Sequence, residues 1–155
     1  MNEYELYNKK RAGFEGPYFS DKMLEMGDVI SFQGENYIVS ELMMPENRKL
    51  RVAVWPAKIN LPGDIEDLRL LRWIQLNLIG LKIRLSNDRD SIEGRVINYW
   101  PGIRYMPPAN LKPGERPATL NAEDFPGRLE FLTLGPGNPA MIDLLDFSII
   151  EILNN

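Results

Sequence analysis

Alternation of apolar and polar positions is clearest in three stretches, and each predicts strands. Gly27–Phe32 and Asn36–Ser40 are rich in β-branched and aromatic residues, and the polar connection Gln33-Gly34-Glu35 between them predicts a tight hairpin. Lys49–Trp55 alternates charged and apolar side chains, so one face is expected to be buried and the other wet. Leu81–Leu85 and Ile92–Trp100 flank the polar turn Ser86–Ser91, with Lys82 and Arg84 on one face and Leu81, Ile83 and Leu85 on the other. Only residues 64–79 carry a convincing helical period. There Leu68, Leu71, Ile74, Leu78 and Ile79 form an apolar stripe, Asp64 is placed to cap, Glu66 and Asp67 fall in the first turn, and Gly80 stops the run. Arg69, Arg72 and Trp73 lie off the stripe, giving a basic edge to a helix expected to plug or cover the sheet.

Elsewhere the pattern is weaker. Residues 1–26 show no sustained periodicity, and Gly13, Gly16 and Pro17 interrupt a stretch dotted with Tyr4, Tyr7, Phe14, Tyr18 and Phe19, which reads as an arm. Residues 101–128 contain Pro101, Pro107, Pro108, Pro113, Pro117 and Pro126 with Gly102, Gly114 and Gly127, an extended segment rather than a packed element. Arg128–Leu134 reads as a strand, Gly135–Pro139 as a turn, and Phe147–Ile152 as a final β-branched strand.

The run from Leu81 to Trp100, an apolar strand, a polar turn and a strand containing Gly94, resembles SH3-like and Sm-like small barrels, where glycine lets a sheet bend sharply. An OB-like barrel fits almost as well. The expected fold is therefore mainly β: a small SH3-like or OB-like barrel with one amphipathic helix over about 64–79 and extended N-terminal and Pro-rich arms. The expected organisation is an arm at 1–26 and a single β-rich domain at 27–155 that includes the Pro-rich segment 101–128.

Composition agrees with a folded chain, being 44% hydrophobic and 26% charged. The net charge of −4 conceals a segregation: residues 1–45 carry −4, residues 46–104 carry +4 and residues 105–155 carry −4. A basic middle between acidic ends suits either polyanions or neighbours of opposite sign, and the acidic total favours the latter. No apolar run reaches the roughly 18 residues of a membrane span, and the acidic start Met1–Glu5 is unlike a signal peptide, so a soluble protein of the cytoplasm or of a virion is expected.

There is no histidine and no cysteine. Cys–His and Ser–His–Asp nucleophiles, zinc sites built on thiolate or imidazole, and thiol redox pairs are excluded. Asp88, Asp90 and Glu93 are closely spaced, yet Glu93 stands where a calcium-binding hand needs glycine and Tyr99 where it needs a bidentate glutamate, so a solvated turn is the better reading. Gly135–Pro139 has no Lys-Ser/Thr, and its prolines remove the amide donors of a phosphate loop. No catalytic, cofactor-binding or metal-binding residue is assigned, and no cofactor is expected.

What remains is binding. Tyr4, Tyr7, Phe14, Tyr18 and Phe19, with Trp100, Tyr105 and Met106, are the candidate partner-binding residues, aromatic anchors expected to be buried between subunits. Arg51, Lys82, Arg84 and Arg95, interleaved with aromatics, are the candidate nucleic-acid contacts. The leading expectation is a non-catalytic structural or assembly protein, a homo-oligomer or part of a larger assembly; its architecture is similar to that of head, connector or tail components of tailed phages. The alternatives are a nucleic-acid-binding small-barrel module and a protein that sequesters a small molecule or nucleotide.

Overall fold

A computed structural model describes residues 1–100, 126–133 and 137–153. More than half of these lie in strands, one α-helix is present, and a sheet curls as a half-barrel. The mainly β expectation holds at that level. The chain divides into two compact units, Met1–Ile59 with Ile150–Asn155, and Asn60–Ile149.

The first unit is built on β1 (Asn2–Asn8), β2 (Gly13–Ser20), β3 (Val29–Phe32), β4 (Glu35–Glu46) and β5 (Lys49–Pro56), hydrogen-bonded in the order β2-β1-β5-β4-β3. The expected hairpin is present: Phe32 pairs with Glu35, and Gln33 and Gly34 both take positive φ, 50° and 79°. A two-residue turn of that kind matches the twist of the strands it joins. Residues 1–26, expected as an arm, instead contribute β1 and β2 to the sheet. β1 pairs antiparallel with β2 and parallel with β5, opposing Tyr4 to Leu50 and Leu6 to Val52. Tyr4 and Leu6 enter a core with Leu24, Ile30, Tyr37, Val39, Val52 and Val54. Asn8, also buried, closes the β1–β2 turn: its Oδ1 accepts from the amides of Lys10 and Arg11 at 3.0 and 3.3 Å, and its Nδ2 donates to Glu15 at 3.1 Å. β5 departs from the wet-face expectation, because Val52, Ala53, Val54 and Trp55 are all buried. It lies between β1 and β4 and is no edge strand.

Two short strands, β6 (Lys58–Asn60) and β11 (Ile149–Ile152), fall where the units are divided. Within the first unit the Ile152 amide donates to the Ala57 carbonyl at 2.8 Å, and Ile150 and Ile152 are buried.

The second unit holds α1 (Leu68–Asn77), β7 (Lys82–Ser86), β8 (Ser91–Trp100), β9 (Arg128–Thr133) and β10 (Ala140–Asp143), with sheet order β10-β9-β8-β7. Asp64 does not cap the helix: Gly63–Glu66 is a separate 3-10 turn, and Asp67 caps α1 by accepting from the Arg69 amide at 3.0 Å. Leu70, Ile74 and Leu78 are buried while Leu68 and Ile79, both expected on the apolar stripe, are exposed, so the buried face passes through Leu70 instead. Gly80, at φ 90°, ends the segment as expected. In the β7–β8 turn Asn87 Oδ1 accepts from the amides of Arg89 and Asp90 at 2.8 and 2.7 Å.

The Arg69 guanidinium donates to both Asp67 oxygens, at 3.2 and 2.9 Å, and these bonds hold the Asp67 carboxyl below its ordinary value of 3.8. Because the folded value is the lower one, Asp67 contributes its full stabilisation above 3.8 and loses it as pH falls through the folded value. Asp67→Asn, which keeps a capping oxygen, should change the free energy of urea unfolding at pH 7 by less than about 1 kcal/mol and flatten the acid limb of stability. Superimposable acid limbs for the two proteins would show that Asp67 carries no pH-dependent term.

Candidate functional site

The β1–β2 hairpin separates its aromatic residues between two faces. Tyr4 and Tyr18, paired across the strands, point to the core: the Tyr4 hydroxyl accepts from the Leu24 amide at 2.9 Å, and Tyr18 sits edge-on to Phe32 with centroids 6.5 Å apart. Tyr7 and Phe14 oppose each other on the other face, edge-on at 5.2 Å. A register shift between Glu5 and Tyr7 inserts one extra residue into β2, so Pro17 opposite Glu5 and Phe19 opposite Glu3 share the face of Phe14 despite the odd spacing. Phe14 and Phe19 are 47% and 55% exposed, and Pro17 is exposed beside them. Because proline lacks an amide donor and β2 is an edge strand, this hairpin resists adding a further strand and offers side chains instead.

Arg51 fixes that face. Its guanidinium carbon lies 4.6 Å from the centroid of Phe14, its Nη1 meets Glu46 at 3.0 Å and its Nε lies 3.8 Å from Glu5, while Lys49 reaches Glu5 at 3.4 Å. A cation stacked on an aromatic ring and neutralised by carboxylates orients the ring at little cost in mobility. The same contacts occupy the charge that a phosphate would need.

In the second unit, register places Lys82, Arg84, Glu93 and Arg95 on one face of β7–β8, with Lys82 directly opposite Arg95 and Arg84 opposite Glu93. Arg84 donates to Glu93 Oε1 through Nε at 2.9 Å and Nη2 at 2.6 Å, and Arg95 Nη1 donates to the Gly80 carbonyl at 2.6 Å. A bulge between Val96 and Asn98 reverses the alternation along β8. Tyr99 consequently faces inward with Leu129, donating to the Pro126 carbonyl at 3.1 Å, and burial pushes its phenol well above the ordinary value; Trp100 emerges opposite Arg128, 49% exposed. Asn98 beside it donates to Glu130 at 2.7 Å.

Of the expected partner-binding residues, the structure therefore gathers Tyr7, Phe14 and Phe19 on one surface, places Trp100 in the other unit, and commits Tyr4 and Tyr18 to the core. Tyr105 and Met106 lie outside the described residues. Of the expected nucleic-acid contacts, Lys82, Arg84 and Arg95 share a face and Arg51 is elsewhere. Pro17 belongs to the aromatic surface and was hidden in the sequence by its reading as a break. Leu76, exposed on α1, likewise lies outside the expectation. Asp88 and Asp90 are exposed turn residues, and no group of acidic side chains suited to a metal ion occurs among the described residues. No helix among them is long and apolar enough to cross a membrane. No protein-family model matches the chain, and neither does any curated protein or solved structure.

Proposed function

We propose that this chain is a non-catalytic structural or assembly protein that binds neighbouring protein subunits through the outer face of the β1–β2 hairpin. One observation carries the reading: Phe14, Pro17 and Phe19 stand exposed on one face of a hairpin whose other face is tied into the core by Tyr4, Leu6 and Tyr18. Rigid, half-exposed aromatic rings are the side chains that most often anchor protein interfaces. Carboxylates on Arg51 and Arg84 support a protein partner over a polyanion. Shells and connectors, including those of tailed phages, are settings that such a module suits.

Light scattering on the untagged protein tests this, with absorbance at 260 and 280 nm on the same peak. Wild type should run as an oligomer without excess absorbance at 260 nm. Phe14→Asp with Phe19→Asp should weaken association by roughly 100-fold or more while leaving the free energy of urea unfolding within about 1 kcal/mol. A wild-type monomer, or variants that assemble normally, would overturn the reading; a peak carrying nucleic acid would point to the binding-module alternative.

A further inference from the structure

We propose that copies of this chain join head to tail, the outward ridge of α1 on one copy seating against the β2–β3 connection of the next. This rests on the assembly reading above and adds which surfaces meet.

The ridge consists of Leu68, Arg72 and Leu76, with Ile79 just past the helix end. At 100° per residue these four positions fall within an arc of about 80°, opposite the buried Leu70, Ile74 and Leu78. Leu76 is 72% exposed and Leu68 63%, too much aliphatic surface on one short helix for solvent alone to explain its shape. No acidic residue occurs from 68 to 79. Arg69 is held by Asp67 at 2.9 Å, whereas Arg72 has no ion pair among the described residues.

An aliphatic ridge with an arginine that has no carboxylate partner among the described residues calls for an apolar surface bearing carboxylates. Two ridges packed on each other would bring Arg72 against Arg72 with no carboxylate between them, so a symmetric contact is disfavoured. The first unit carries the complement. In the connection after β2, Met23 and Met26 are exposed together with Asp21 and Glu25. Lys22, the cation there, is neutralised by Asp28 at 3.2 Å. The connection is held in one shape, since Leu24 is buried with its amide on the Tyr4 hydroxyl, the Glu25 amide donates to Asp28 at 2.8 Å, and the Gly27 amide donates to the Val39 carbonyl at 2.8 Å. Thioethers adapt readily to leucine side chains, and the charge of −4 over residues 1–45 against +4 over 46–104 has the same sense as this local pairing. Two different surfaces on one chain make a heterologous contact, which closes as a ring or runs on as a filament.

Charge exchange tests the pairing. Arg72→Glu and Glu25→Arg, each alone, should weaken self-association at least ~10-fold in light scattering, because each sets like charges together. An equimolar mixture of the two should recover the wild-type mass, since every ridge then finds a patch of opposite charge. Leu76→Gln, which alters no charge, should weaken association and should not be rescued in any mixture; far-UV circular dichroism checks that all variants fold. If wild type assembles and the charge variants assemble equally well, the ridge serves some other partner or none, and the head-to-tail pairing falls while the assembly reading stands. A mixture that stays at the mass of its separate components also overturns the pairing. A monomeric wild type removes the assembly reading itself, and this inference with it.

Discussion

Gly94→Ala should destabilise the second unit by about 3 kcal/mol or more, near the upper end for adding a single methyl group to a packed site. A Cβ built at Gly94 would overlap the backbone carbonyl oxygen of Leu132 and lie 2.8 Å from Cε1 and Cζ of Phe131. Neither neighbour can yield cheaply, because Leu132 is part of the β8–β9 ladder and Phe131 is fully buried. Gly13→Ala is the matched control, with nothing within 4 Å of its Cβ, and should change the free energy of urea unfolding by no more than about 0.5 kcal/mol. Equal midpoints for the two variants would mean that β9 does not press on Gly94. The glycine in this strand thus serves close approach, and the irregularity in β8 falls between Val96 and Asn98 instead.

Deleting residues 1–26 should abolish folding of the first unit rather than strip an appendage from it. The deletion removes Tyr4, Leu6 and Leu24, each buried, and leaves β5 with no neighbour on one side. Large buried side chains cost about 2–5 kcal/mol apiece to remove, so three approach the entire stability of roughly 5–15 kcal/mol of an ordinary domain. Near-UV circular dichroism and methyl dispersion in proton NMR should collapse toward those of an unfolded chain over the first unit. A truncated protein that kept wild-type dispersion and unfolded at the wild-type urea concentration would restore residues 1–26 to the status of an arm.

These two cases show what was legible in the amino-acid order. Local signals read well: Gln33-Gly34 made the hairpin, Asn87 to Asp90 made the next turn, and Gly80 ended the helix. Signals that depend on a partner strand did not. Gly16 and Pro17 looked like breaks, but Gly16 takes φ 117° where β2 gains its extra residue, and Pro17 is tolerated because β2 is an edge. The third inward position of β1 is Asn8, which hid the alternation begun by Tyr4 and Leu6. The start of the helix was misplaced because Asp64 and Asp67 are equally good caps by residue type, and only the 3-10 turn between them decides which is used. The candidate surface suffered most, since one inserted residue sets which aromatics share a face and no period in the sequence records it.

The first unit is discontinuous in sequence: its five-stranded sheet ends at residue 56, and Ile150 and Ile152, buried residues of the same unit, follow only after residues 60–149. During synthesis at ~5–20 residues per second, the five strands β1–β5 therefore exist for several seconds before Ile152, whose amide donates to the Ala57 carbonyl, is made. Over that interval the second unit, continuous from Asn60 to Ile149, is itself being made, and the Ala57 carbonyl lacks the Ile152 amide that pairs with it in the finished chain. The order of completion runs against the order of the chain: the unit that begins first is the one that finishes last.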